Sequence, residues 1–113
     1  MLWRESKTDD GVTILRIEGE IDMSSSPELR AVLREKIAAR CTALVVDFSA
    51  VNYLDSSALA TLIEYWRDSQ RFAGKFALSG VNDRLHTIFE VSRLTEILPI
   101  FPTVAEAGAA VKT

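Results

Sequence analysis

Hydrophobic and polar positions near the start of the chain predict two β-strands, and those of residues 15–21 alternate as a strand requires. Residues 3–7 fit a short edge strand, and residues 9–11, Asp-Asp-Gly, are a turn signal. Residues 12–21 then predict a second strand, which completes an antiparallel hairpin. Val12 and Ile14 fall out of its phase, which predicts a bulge or burial on both faces. The positions of this strand that share one face are Leu15, Ile17, Gly19 and Ile21.

Apolar positions three and four residues apart predict about four helices. The first begins at Ser26, because Pro27 suits the first helical position, and should end near Arg40. The second, residues 57–72, carries the apolar stripe Leu59, Leu62, Ile63 and Trp66 and is expected to end at Gly74. The third follows a cap at Asn82 or Asp83, and the last occupies residues 103–111.

Three further strands separate these helices, at residues 43–48, 75–79 and 99–102. The alternation predicts an α/β fold with a mixed, mostly parallel sheet of four to five strands, an antiparallel edge hairpin and about four helices, in one domain of residues 1–113. In open α/β sheets, binding groups lie at the carboxyl ends of strands. The loops at residues 22–26 and 52–57 are therefore the candidate site.

Three consecutive polar residues, Asp55, Ser56 and Ser57, stand between the buried third strand and the second helix. Free N–H groups at a helix amino terminus attract negative charge, so local chemistry alone favours simple helix capping. A phosphate on Ser56 would add about −1.5 to −2 charges at pH 7, next to the Asp55 carboxylate. A phosphate at this turn could therefore change partner binding and leave the fold intact, although capping alone would also explain the turn.

The segment from Val45 to Leu59 resembles the core of STAS domains, and most of all the bacterial anti-sigma factor antagonists. Residues 19–22, Gly-Glu-Ile-Asp, resemble the end of that family's second strand, and residues 78–81 resemble its later part. The resemblance extends from about residue 12 to residue 110. It implies the STAS fold, with the Asp-Ser-Ser element as its most specific part.

The resemblance also implies a mechanism in which a partner kinase, itself the anti-sigma factor, phosphorylates the serine after the aspartate, which is Ser56 here. The unphosphorylated protein binds the kinase and frees the sigma factor, and a serine phosphatase resets the switch. Asp22, Asp55, Ser57 and Ala58 would lie on the same docking surface. The family often has glycine where Ala58 stands, so its methyl group is expected to narrow the space for a partner's backbone. Ser57 remains an alternative site for the phosphate.

Composition narrows the classes of function. The net charge is −3 and basic residues never occur three in a row, so nucleic acid is not an expected partner. Cys41 is the only cysteine, charged residues begin at Arg4, and no apolar run approaches about 20 residues. The chain is therefore expected to be cytoplasmic, without a signal peptide and without insertion into a membrane.

The first alternative interpretation is an enzyme with a Ser-His-Asp triad. It would require His86, the only histidine, to lie next to Ser56 and Asp55. The nucleophile-elbow and phosphate-loop motifs are absent from the sequence, and one cysteine with one histidine does not suit a zinc site. We therefore expect no enzyme, no metal and no cofactor. A second rival is a STAS subunit of a phospholipid-trafficking ABC transport complex, which would dock a permease or an ATPase. A third is a scaffold protein of a stress-sensing complex.

Other residues have ordinary structural explanations. Asp47, near the end of an apolar strand, is expected to bind backbone N–H groups of the adjacent loop. Glu64 and Arg67 are expected to pair on the surface of the second helix, three residues apart. Trp66 and Phe72 are expected in the core, whereas the exposure of Tyr65 and Tyr53 is left open.

Overall fold

The computed structural model describes residues 1–112 and shows one five-stranded sheet with four α-helices. The elements in chain order are β1 (Leu2–Lys7), β2 (Thr13–Ile21), α1 (Ser26–Ala38), β3 (Ala43–Leu54), α2 (Ser56–Ser69), β4 (Lys75–Ser79), α3 (Asp83–Val91), β5 (Ile100–Phe101) and α4 (Val104–Val111). Short 3₁₀ turns at Gln70–Phe72 and Leu94–Glu96 follow α2 and α3. The predicted order of strands and helices is confirmed.

The strands lie in the sheet in chain order, from β1 to β5. β1 and β2 are antiparallel, and every later pair is parallel. Because the chain advances across the sheet in one direction, right-handed crossovers place α1, α2 and α3 on the same face. The mixed, mostly parallel sheet with an antiparallel edge hairpin is therefore as predicted.

The two faces of the sheet bury cores of different size. On the main face, α1, α2 and α3 cover a large cluster that includes Leu15, Val46 and Leu62. On the opposite face, α4 covers a small cluster to which Val12 contributes, with Ile14 packed against it. The out-of-phase positions at the start of β2 thus belong to the second core, so the prediction of burial on both faces is correct.

β3 is longer than the sequence predicts, because it continues past Phe48 to Leu54. Its pairing with β2 shifts register twice, between Arg16 and Glu18 and between Gly19 and Glu20, where β3 carries an extra residue each time. The shifts interrupt the alternation of buried and exposed positions, which hides this half of the strand in the sequence. The loop before α2 is consequently reduced to Asp55.

The ends of the first two helices also differ from prediction. α1 ends at Ala38, and Arg40, with a φ of 53°, takes the left-handed conformation that stops it. α2 starts at Ser56, one residue early, and ends at Ser69. Ala73, with a φ of 56°, provides the left-handed residue that was expected of Gly74.

The partner of Glu64 was predicted wrongly. Its carboxylate lies 3.3 Å from the guanidinium groups of both Arg30 and Arg34 on α1, so it ties α1 to α2 rather than pairing with Arg67. Tyr65, whose exposure was open, is buried against Phe76 with ring centroids 4.9 Å apart. The packing of α2 against α1 and against β4 is visible only in the fold, which explains both outcomes. Two residues expected in the core, Trp66 and Phe72, are only partly buried.

Asp47 is a buried carboxylate that joins three strands. Its Oδ1 accepts hydrogen bonds from the backbone N–H of Ser49 (3.1 Å) and from the hydroxyl of Ser79 (3.2 Å). Its Oδ2 lies 3.2 Å from Arg16 on β2. Gly80 packs so close that a Cβ there would stand 2.9 Å from Oδ1. Asp47 thus has a structural role as expected, but the one backbone N–H that it accepts comes from Ser49 on its own strand and not from the adjacent loop.

Candidate functional site

The site lies where β2 and β3 end side by side. Ile21 pairs with Leu54 as the last residues of the two strands, and the backbone N–H of Asp55 donates to the carbonyl of Ile21 at 3.2 Å. The two segments chosen from the sequence, residues 22–26 and 52–57, are therefore neighbours at one edge of the sheet. We call this region, residues 20–25 and 52–57, the switch edge.

Asp55 organises the turn into α2. It is the N-cap of the helix, with extended backbone, and its Oδ1 accepts the backbone N–H groups of Ser57 (2.9 Å) and Ala58 (3.4 Å). The hydroxyl of Ser57 donates to the same oxygen at 2.5 Å. Capping thus explains Asp55 and Ser57 fully, as local chemistry suggested.

Ser56 is the one residue of the triplet that this network does not use. It is exposed, it occupies the first position of α2, and its hydroxyl forms no hydrogen bond with any part of residues 1–112. Ser57, in contrast, is partly buried and its hydroxyl is committed to Asp55. Of the two serines, Ser56 therefore presents the accessible hydroxyl.

The Asp22 loop repeats the hydrogen-bond pattern of the Asp55 turn. The Oδ1 of Asp22 accepts the backbone N–H groups of Ser24 (3.0 Å) and Ser25 (3.1 Å), and the Ser24 hydroxyl at 2.6 Å. The position that corresponds to Ser56 is taken by Met23, which is also exposed. Sequence reasoning missed Met23, although the repeated Asp-x-Ser spacing in the two loops is a readable signal.

Both carboxylates are stabilised in their charged form. The Ser57 hydroxyl, with the N–H groups of the helix start, holds the pKa of Asp55 below its ordinary value. The Ser24 hydroxyl and the nearby N–H groups lower the pKa of Asp22 in the same way. The charge of Asp22 acts on Asp55 in the opposite direction and raises its pKa, because the two anions are close. The switch edge therefore carries two adjacent negative charges at neutral pH.

Ala58 does not lie on the surface that was expected of it. Its side chain is 0% exposed and belongs to the main core cluster. The methyl group therefore faces the inside of the protein and does not narrow the approach of a partner. Ala58 contributes to the site only through its backbone N–H, which donates to Asp55.

The remaining candidate chemistry lies elsewhere. His86 is on α3, where its Nδ1 is 2.8 Å from the carboxylate of Glu90. Within residues 1–112, no cluster of three metal-ligating side chains is found. In the same part of the chain, no helix is both long enough and apolar enough to cross a membrane.

Comparison with known proteins identifies the family. A family model described as "STAS domain" matches residues 4–107, and the chain belongs to this family. The resemblance inferred from the Asp-Ser-Ser segment is thereby confirmed.

Within the STAS family, the following individual relatives are anti-sigma factor antagonists. The chain is 30% identical over 98 residues to an anti-sigma F factor antagonist of Paenibacillus polymyxa, covering 86% of this chain and 84% of the relative. A crystal structure of an anti-sigma factor antagonist from Mycobacterium paratuberculosis superposes with a TM-score of 0.90 at 28% identity, over 99% of this chain and 94% of that one. The Bacillus protein SpoIIAA in its phosphorylated form shares the fold, with a TM-score of 0.75 at 21% identity over 97% and 99% of the two chains.

Proposed function

We propose that this protein is an anti-sigma factor antagonist that works by partner switching. In its unphosphorylated form it binds an anti-sigma factor that is a serine kinase, and the sigma factor is released. Phosphorylation of Ser56 ends this binding, and a serine phosphatase restores it. The relatives named as antagonists of anti-sigma factors support this function over a subunit of a transport complex. The protein would act without catalysis of its own, in the cytoplasm.

The observation that carries the proposal is the contrast between the two serines. A kinase needs an acceptor hydroxyl that can approach the γ-phosphate of ATP in line. Ser56 offers such a hydroxyl, exposed and free of hydrogen bonds within the described residues, whereas the hydroxyl of Ser57 donates to Asp55. The geometry therefore favours Ser56 as the acceptor.

The same geometry gives a physical reason for release. A kinase that holds nucleotide phosphates against Ser56 cannot accommodate a second phosphate on that oxygen without overlap and like-charge repulsion. Asp55 already occupies the N–H groups of Ser57 and Ala58, so these donors are not free to neutralise the new charge. The phosphate would remain an exposed anion on an intact fold.

Phosphorylation by the organism's own anti-sigma factor kinases tests the proposal. The wild-type protein, Ser56→Ala and Ser57→Ala are incubated with each purified kinase, Mg²⁺ and ATP, and the products are mapped by mass spectrometry. We expect one phosphate, on Ser56, in the wild type and in Ser57→Ala, and none in Ser56→Ala. Ser56→Ala should still bind the kinase. Phosphate on Ser57 alone would refute the assignment of Ser56, and a failure of every kinase to bind the wild type would refute the proposed function.

A further inference from the structure

Two large apolar side chains on the switch edge are exposed without a partner in the described structure. Met23 is 78% exposed and Tyr53 is 45% exposed. The other exposed large apolar residues of the described chain are Leu2, Trp3 and Val91. Two of these five side chains thus belong to the switch edge, Met23 in the Asp22 turn and Tyr53 near the end of β3.

The fold fixes both side chains to rigid elements. Met23 follows Asp22 in a turn with the hydrogen-bond pattern of the Ser56 turn, so it is presented to solvent as Ser56 is. Tyr53 is the penultimate residue of β3, three residues before Ser56, and pairs with Glu20 on β2. A side chain held by a strand or by a hydrogen-bonded turn loses little freedom when a partner covers it.

The surroundings of these side chains are negatively charged. Glu20, Asp22 and Asp55 lie on the switch edge, and the two longer segments that contain it, residues 17–29 and 41–66, have neither lysine nor arginine. All 13 basic residues of the chain lie outside these segments. A protein surface that covers this edge meets carboxylates and apolar side chains, so the complementary surface is basic and has apolar pockets.

We propose that Met23 and Tyr53 are the apolar anchors through which the anti-sigma factor kinase binds this protein. Each side chain fills an apolar pocket of the kinase, and basic residues of the kinase form a rim around the two pockets. The inference rests on the proposed function, since it names how that partner is held. Aromatic and methionine side chains are enriched at the centres of protein interfaces, where a few residues carry most of the binding energy. Glu20 and Asp22 then guide the encounter, and the anchors determine how long the complex lasts.

Binding kinetics with purified kinase test the anchors directly. We expect Tyr53→Ala to weaken the equilibrium dissociation constant about 30-fold and Met23→Gln about 10-fold, mainly through faster dissociation. Tyr53→Phe keeps the ring and should bind within about threefold of the wild type. Val91→Ala is the matched control, because Val91 is as exposed as Met23 but lies at the far end of α3, and it should bind as the wild type does.

The carboxylates of the switch edge should affect a different kinetic quantity, the rate of association and its dependence on salt. Glu20→Gln should slow association and reduce its dependence on salt, with little change in dissociation, whereas Met23→Gln should leave the salt dependence unchanged. Circular dichroism confirms that each variant keeps the wild-type fold, since all these side chains are exposed.

The outcomes separate this inference from the function on which it rests. If the kinase binds and phosphorylates the wild type, but Tyr53→Ala and Met23→Gln dissociate as slowly as Val91→Ala, the anchors are refuted and the proposed function stands. If association becomes faster at high salt, the basic rim is refuted. If no kinase binds the wild type, both proposals are refuted together.

Discussion

The Asp22 turn and the Asp55 turn share three hydrogen bonds but present different chemistry. In each, one carboxylate oxygen accepts the N–H groups two and three residues further on, together with a serine hydroxyl. The residue directly after the aspartate takes no part in this network and faces solvent, and it is Met23 in one turn and Ser56 in the other. The turn fixes the backbone, so the residue at the unused position can vary without loss of these hydrogen bonds.

The surroundings of the two turns differ in one respect that matters for a phosphate. Asp55 is itself the N-cap of α2, so Ser56 stands at the positive end of a 14-residue helix. Asp22 lies three residues before the N-cap of α1, and Met23 is outside any helix. The helix dipole therefore favours an anion at Ser56 more than at position 23, although the N–H groups of Ser57 and Ala58 are already bound to Asp55.

The largest expected effect comes from placing a charge on the exposed position of the Asp55 turn. We predict that Ser56→Asp weakens binding to the kinase about 100-fold, because a carboxylate faces the nucleotide phosphates held there. Ser56→Asn, similar in size but uncharged, should bind within about fivefold of the wild type. Isothermal titration calorimetry measures both variants. Equal losses in the two variants would show that size, rather than charge, controls the switch.

The fourth residue of the Asp55 turn, Ala58, should affect stability and leave binding unchanged. Ala58→Gly is expected to lower the free energy of unfolding by about 1.5–2 kcal/mol, since it loses helix propensity and a buried methyl group. Ala60→Gly, at an exposed site of the same helix, should cost only about 1 kcal/mol. Urea denaturation measures the difference. A change in kinase affinity for Ala58→Gly alone would show that the partner senses this position.

These contrasts also show what the sequence is able to predict. The order of elements and the Asp-Ser-Ser turn are readable because they depend on periodicity and on local capping chemistry. The second half of β3 is not readable, because two register shifts expose Asn52 and Tyr53 and make a strand look like a loop. The burial of Ala58 follows from the packing of α2 on the main core, and the partners of Glu64 follow from the packing of α1 on α2. Each of these depends on contacts between elements.

A further test moves the accessible serine hydroxyl from the Asp55 turn to the equivalent position of the Asp22 turn. The variant Met23→Ser, combined with Ser56→Ala, carries an Asp-Ser-Ser sequence at the first turn only. We predict that the kinase adds no phosphate to it, because transfer requires an acceptor aligned with the γ-phosphate and the docked complex aligns only position 56. Mass spectrometry decides the matter. A phosphate at position 23 would mean that the turn geometry alone is sufficient for recognition.

The smallest expected effect is a change in the pKa of Asp55 when the charge of Asp22 is removed. Asp22 raises the pKa of Asp55, so Asp22→Asn should lower the pKa of Asp55 further below its ordinary value of 3.8. Carbon-detected NMR titration of the Asp55 carboxyl group measures this shift. Asp83→Asn, which removes an exposed carboxylate from the first turn of α3, is the control and should leave the pKa of Asp55 unchanged.

The sign of the accompanying stability change follows from the same lowered pKa. Because the pKa of Asp55 is lower in the folded than in the unfolded protein, its stabilising contribution is present above pH 3.8 and is lost as the pH falls through the folded value. In Asp22→Asn that loss should begin at lower pH, since the ionised form of Asp55 persists further. A phosphate on Ser56 should instead raise the pKa of Asp55, because it adds a negative charge nearby. The stabilising contribution of Asp55 would then be lost at higher pH than in the unphosphorylated protein. An Asp55 pKa that rose in Asp22→Asn would contradict the electrostatic coupling of the two turns.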